Sequence, residues 1–171
     1  MIIMLLIILI ILTVIFWAIS TLIALRGGIH YVGSGKDNFR SAFKLVKLNN
    51  RQIMYELGSG YGDGLLVAAK EFGAETIGIE ISPFHYLVSK WRTRKIPKIK
   101  VILGNYNNVV FKRADVVYCY LLPKMLDALL PKLKKELHHD STVISKTFKF
   151  TNISPSETKD VNNEKFYFYK F

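Results

Sequence analysis

Residues 56–64 read Glu-Leu-Gly-Ser-Gly-Tyr-Gly-Asp-Gly, and Glu80 closes the next apolar run. Gly58, Gly60 and Gly62 carry no Cβ, so the chain can turn sharply there and a ligand can lie directly against the backbone. The residues that follow read as a helix whose free N–H groups face the loop. A dinucleotide site would need Gly-x-Gly-x-x-Gly to seat a pyrophosphate. Here the spacing is Gly-x-Gly-x-Gly, with a carboxylate, Glu56, immediately before it. An acid at that point suits a cationic amino-acid ligand better than a pyrophosphate. Glu80 follows the loop at about the 20-residue offset at which a carboxylate meets ribose hydroxyls. It can accept two hydrogen bonds from a ribose diol. An ammonium and a ribose in one ligand describe S-adenosylmethionine (SAM), with Ser59 and Tyr61 in the same cradle. The chemistry expected is methyl transfer.

Further residues extend that reading. Ile81 and Pro83 are placed to flank an adenine. Asn105 stands at the tip of a third apolar run, where its amide can read the adenine edge, and Tyr106 can stack on the ring. Asp63 reads as a cap of the helix after the loop, because Asp is favoured at helix N-termini. Ligands of open parallel sheets gather at the carboxyl ends of the strands. Tyr118 and Tyr120 lie toward that end of a fourth run and share a face by its period of two. They are the candidates for positioning a methyl acceptor. Their rings attract an ammonium, and an aromatic pocket lowers the pKa of a lysine through desolvation. Asp115 begins the same run, at the wrong edge for chemistry. It is expected to satisfy local backbone or to pair with Arg113. His138-His139 lacks a Cys or carboxylate cluster beside it, so no metal site is expected, and His85 reads as structural.

These residues need a framework. Apolar runs predict strands at 53–57, 75–81, 99–103, 115–120, 141–149 and 165–170, and helices near 37–48, 64–72, 84–95 and 123–138. The alternation argues for an α/β, Rossmann-like, mostly parallel doubly wound sheet. Residues 151–164 read as a polar loop. There is no internal repeat.

The stretches Tyr-Glu-Leu-Gly-Ser-Gly-Tyr-Gly-Asp-Gly at 55–64 and Gly-Ile-Glu-Ile-Ser-Pro-Phe at 78–84 resemble the class I SAM-dependent methyltransferases. More narrowly, they resemble the membrane-anchored protein-lysine methyltransferases related to the enzyme that methylates the c-ring protein of ATP synthase, and their prokaryotic relatives. His30-Tyr31-Val32, ahead of a basic amphipathic helix, is similar to the segment before that family's first strand. The resemblance covers most of residues 1–150. It implies that the last strand inserts antiparallel beside the fifth and that the acceptor sits beside Tyr120. It also makes Tyr31 a weaker candidate. Tyr61 and Asp63 depart from the family pattern, which has an acidic and a basic residue there.

Residues 1–25 carry no charged side chain, and Arg26 ends the run. At 1.5 Å per residue, such a helix spans the ~30 Å hydrocarbon layer. It lacks the basic leader and small-residue cleavage site of a signal peptide. The expected domains are an anchor over 1–25, a linker and helix over 26–50, and a SAM-binding domain over 51–171. The chain's net charge is +11, all of it after residue 25. The positive-inside tendency then puts the domain in the cytoplasm on a single-pass anchor. A lone Cys119 fits a reducing compartment. The basic clusters around Lys90–Lys100 and Lys132–Lys135 are assigned to membrane apposition, with nucleic acid the rival. Little chain remains for a lid over the acceptor, which favours a large substrate, such as a membrane-associated protein. The alternatives are an RNA or lipid-like acceptor, and a non-catalytic tethered module.

Overall fold

The computed structural model describes residues 1–26 and 33–171; the His30-Tyr31-Val32 segment lies outside them. Helix α1 (Ile2–Arg26) is followed by α2 (Lys36–Leu45), β1 (Ile53–Leu57), α3 (Asp63–Glu71), β2 (Glu75–Glu80) and α4 (Pro83–Thr93). Next come β3 (Ile99–Leu103), a 3₁₀ turn at Tyr106–Asn108, β4 (Val116–Cys119), α5 (Pro123–Glu136), β5 (Thr142–Lys146), β6 (Glu157–Val161) and β7 (Glu164–Lys170). The seven strands form one sheet in the order β3-β2-β1-β4-β5-β7-β6. Strands β1 to β5 are parallel, and β7 runs antiparallel beside β5.

Successive residues of a strand point to opposite faces, and both faces here are covered. In β1, Met54 joins a core with Phe39, Phe43, Leu65 and Tyr118, while Tyr55 and Leu57 join the other with Leu126, Leu129 and Leu133 of α5. A sheet buried on both sides is what near-continuous apolar strands imply. Strand order reverses between β1 and β4, and it is outside the carboxyl ends of the strands at such a reversal that open α/β sheets bind their ligands.

Three features differ from the sequence expectation. Residues 151–164 are not wholly loop, because β6 forms a hairpin with β7. The turn is Asn162-Asn163, with φ of 50° and 63°. Two positive φ values match the twist of a two-residue hairpin, and Asn tolerates them. Four of the five β6 residues are exposed, so no apolar alternation announced the strand. Second, α2 is part of the domain core, burying Phe39, Ala42 and Phe43. Arg40 of α2 also forks onto Glu71 of α3 at 2.8 Å. Third, Tyr120 lies one residue beyond the end of β4.

The apolar stretch of α1, Ile2–Ile23, is long enough to cross a membrane, and its residues from Ile2 to Ile19 are exposed, while Ser20 is buried. It is therefore not a core helix of this domain. Ser20 near its end does touch the domain. Its hydroxyl hydrogen-bonds the Ser82 hydroxyl at 2.8 Å and accepts from the Phe84 N–H at 2.9 Å.

Candidate cofactor and acceptor site

The glycine loop is stitched to the tip of β2. The N–H groups of Gly58 and Ser59 both donate to the Ile79 carbonyl, at 2.9 and 3.1 Å. The Glu80 carboxylate then accepts from the Gly60 N–H at 2.7 Å through one oxygen and from the Ser82 N–H at 2.8 Å through the other. One buried side chain thus fixes both the loop and the start of α4. Its carboxylate has about four lone-pair sites, and only two are used by these bonds. Gly58 sits at φ +76°, with open space where a Cβ would stand. The backbone there is bare.

Glu56 is the most telling group. It is 4% exposed. Its Oε2 has no hydrogen-bond partner among the described residues. Burial pushes its pKa well above the ordinary carboxylate value, with Asp63 and Glu80 adding to the rise and the Leu65 N–H opposing it. A buried carboxylate without a partner is costly, and the partner that would relieve it is a cation. A Cβ on Gly64 would stand 2.6–2.7 Å from both Glu56 oxygens and 2.6 Å from Phe39 Cε1. Glycine at 64 therefore lets α3 close down on that carboxylate.

Several other residues around the loop make contacts within the fold. Asp63 is no cap, since the N-cap is Gly62 and makes no side-chain bond. It pairs instead with Arg92 of α4 at 2.8 Å, and Arg92 also donates to the Tyr61 carbonyl at 2.6 Å. The two positions that depart from the family pattern are thus tied down by one arginine. Tyr61 packs edge-on against His85, whose pKa is lowered by burial. Ile81 is half-buried just beyond β2. Asn105 is exposed at the β3 tip, but its side-chain oxygen accepts from the Asn107 N–H at 2.9 Å and caps the 3₁₀ turn. Its NH₂ remains the end that can read a base. Tyr106, expected to stack on a ligand, is buried in the α5-side core, and that burial raises its pKa.

Tyr118 is the register partner of Glu56. It is wedged against Phe39 and Phe43, and its hydroxyl donates to Ser34 at 3.2 Å. Packing on α2 took a side chain that the sequence offered to the acceptor. Tyr120 stays half-exposed at the mouth. Its ring stacks on Phe148 at 6.1 Å and carries the Lys146 ammonium 4.7 Å from its centroid. Lys146 is 1% exposed and pairs with Glu164 at 3.0 Å, which lowers the Glu164 pKa. Asp115 does satisfy backbone, accepting from the Ile53 N–H at 2.6 Å, while Arg113 turns to Glu75.

Sequence reasoning missed Ser82, Arg92, Lys146 and Phe148. Ser82 was findable, because Ser followed by Pro marks a helix start, and its hydroxyl accepts from the His85 N–H at 3.4 Å. Nothing local flags Lys146, since its partner is remote in sequence.

The profile of the ANTKMT methyltransferase domain matches residues 56–157. This chain belongs to that family. It is 28% identical over 137 residues to the protein-lysine N-methyltransferase of Saccharolobus islandicus, covering 78% of this chain and 85% of that protein. It is 30% identical over 128 residues to the Homo sapiens lysine N-methyltransferase that acts on the c-ring protein of ATP synthase, covering 73% of this chain and 54% of that one. The fold also matches an RNA methyltransferase from Salinibacter ruber in complex with S-adenosyl-L-homocysteine, with a TM-score of 0.77 and 26% identity over 81% of this chain and 93% of that chain.

The protein is therefore a SAM-dependent methyltransferase, and the ANTKMT-family site fits its cofactor. The partnerless Glu56 oxygen would receive the ammonium, the spare lone pairs of Glu80 the ribose diol, and the bare backbone at Gly58 the body of the ligand. When bound, SAM supplies a methyl group on a sulfonium, already activated toward a nucleophile. What is left for this chain is alignment and exclusion of water, and alignment alone can contribute several kcal/mol.

Proposed function

We propose that this chain is a membrane-anchored protein-lysine N-methyltransferase acting on a protein segment close to the bilayer. The observation that carries the anchoring is α1, whose residues Ile2 to Ile19 no described part of the domain covers and whose Ser20 binds the turn after Glu80. In this reading residues 1–25 are the span and the domain lies on the cytoplasmic side. The two lysine-methylating relatives support a lysine acceptor. Glu56, Gly58, Ser59, Gly60, Tyr61, Gly62, Glu80, Ile81 and Asn105 hold the cofactor, and Tyr120 positions the acceptor.

Lys146 gives the acceptor reading a specific form. A lysine must lose its proton before attack, and its free pKa is ~10.4. The ring of Tyr120 already bears the protein's own ammonium. A nearby like charge disfavours the protonated form of an incoming lysine. The Tyr120–Lys146 pair therefore selects the neutral amine, and the Tyr120 hydroxyl and ring edge orient it.

The test is incubation of membranes with radiolabelled SAM, with and without the protein, followed by protease or nuclease. A protease-sensitive band that disappears with Glu80→Ala supports the proposal. An RNA acceptor is the second reading, favoured by the Salinibacter neighbour and the net charge of +11. Nuclease-sensitive label would replace the first reading with it.

A further inference from the structure

The domain's apolar and basic features meet on α4. Phe84, Leu87 and Trp91 follow the i, i+3, i+7 spacing of a single helix face. Leu87 is 52% exposed and Trp91 65%. Large exposed side chains in one stripe mark an interaction surface rather than chance exposure. Around the stripe stand Lys90, Arg94, Lys95 and Lys98, all exposed. Lys90 lies over the Tyr86 ring at 5.3 Å, and the Arg94 guanidinium covers the Trp91 ring at 4.4 Å while donating to the Trp91 carbonyl. Arg92, by contrast, is turned inward to Asp63.

The depth of α4 follows from its contact with α1. Ser20 lies three residues before Ile23, the end of the apolar window. At 1.5 Å per residue this is about 4.5 Å inside the apolar slab. Ser20 bonds both Ser82 and the Phe84 N–H. If α1 spans, the first turn of α4 cannot stand clear of the bilayer. Helices that lie in a membrane surface sit about 5–10 Å into the headgroup boundary, with Trp, Phe and Leu on one side and Lys or Arg on the other. Tryptophan favours that same boundary.

We propose that α4 is a membrane-lying helix, with Phe84, Leu87 and Trp91 seated among the acyl-chain ends of an anionic bilayer and Lys90, Arg94 and Lys95 on its headgroups. This inference rests on the reading of α1 as a span. Because the N-cap of α4 is Ser82, whose N–H is held by Glu80, seating the helix fixes the cofactor site at a set height above the lipid. The acceptors within reach are then lysines close to the membrane surface.

The chain has two tryptophans, Trp17 in α1 and Trp91 in α4, so each helix can report alone. Full-length W17F and W91F proteins are reconstituted in vesicles of zwitterionic lipid with and without anionic lipid, including lipids brominated at defined depths. In W17F, Trp91 is expected to emit at shorter wavelength in anionic vesicles than in detergent. It should be quenched by shallow bromines and protected from aqueous iodide. In W91F, Trp17 is expected to be quenched by deep bromines. If Trp17 is quenched and Trp91 stays open to iodide, the proposal for α4 fails while the span stands. If Trp17 is not quenched by any lipid, the span fails, and the α4 proposal with it. If Trp91 is exposed on vesicles but becomes shielded by added RNA, the surface belongs to nucleic acid and the proposal is overturned. Adding K90E, R94E and K95E to W17F should weaken the shielding by about fivefold per charge on anionic vesicles only. Equal loss on zwitterionic vesicles would refute the headgroup contacts.

Discussion

Replacing Glu56 by Gln separates the carboxylate's charge from its shape. The amide oxygen can still accept from the Leu65 N–H, which the wild-type side chain already does. What disappears is a buried negative charge with one unpartnered oxygen. A hydrogen bond to a charged group is worth about 1.5–3 kcal/mol. At 1.4 kcal/mol per factor of ten, SAM should bind about one to two orders of magnitude more weakly to E56Q. The folded apo-protein holds the Glu56 proton above the ordinary carboxylate pKa of 4.5. Above that pH the unfolded chain has lost the proton and the folded chain has not. The folded state therefore binds more protons, and stability falls as pH rises through this window, by at most about 1.4 kcal/mol per pH unit. E56Q should lack that slope. For the same reason, SAM should bind wild type more tightly as pH rises, because the bound ammonium releases the proton. Titration calorimetry across pH, with urea melts of the apo-proteins, measures both. Methylthioadenosine, which lacks the amino-acid end, is the control and should bind both proteins equally. If E56Q loses methylthioadenosine as much as SAM, or keeps full SAM affinity, then Glu56 does not meet the ammonium.

Other expected outcomes follow from the same geometry. Glu80→Ala removes the acceptor for Gly60 and Ser82 as well as for ribose, so SAM affinity by calorimetry should drop at least as far as in E56Q, and methylthioadenosine should now be lost too. Gly64→Ala places a methyl against Glu56 and Phe39. Overpacking of this kind costs about 1–3 kcal/mol, and at ~2–4 °C per kcal/mol the melting temperature should fall by several degrees. Lys146→Met removes the cation beside Tyr120, so the acidic limb of kcat for a bound lysine peptide should move to higher pH; an unmoved limb refutes the role given to Lys146. Asn163→Gly relieves a positive φ in the β6–β7 turn and should raise stability in urea melts by up to about 1 kcal/mol.

The parts of the fold that could be read in advance are those where local chemistry and tertiary need coincide. Each of β1, β2 and β3 is an apolar run stopped by glycine or acid, and each ends within a residue of its expected place. Glu56 and Glu80 could be singled out because a carboxylate at a buried strand tip demands a partner. The side chains that went elsewhere were aromatics. Tyr106 and Tyr118 have the same sequence surroundings as ligand-facing rings, and only packing against α5 and α2 consigns them to the core. Strand β6 was hidden because an exposed edge strand needs no apolar pattern, only a neighbour. Lys146 was hidden because the glutamate that makes its burial tolerable arrives with β7.

That edge has its own consequence. Among the described residues β6 is an edge strand of the sheet, and an open edge is a template for a second chain to join. Confinement to a surface raises the rate at which copies collide side by side. The exposed side chains of β6 are Glu157, Thr158, Lys159 and Asp160, with Lys159 and Glu157 paired at 2.9 Å. Charge laid along the last strand makes further strand addition unfavourable. On the proposed membrane anchor, copies of the enzyme can thereby stay dispersed, each free to scan its own patch of the surface.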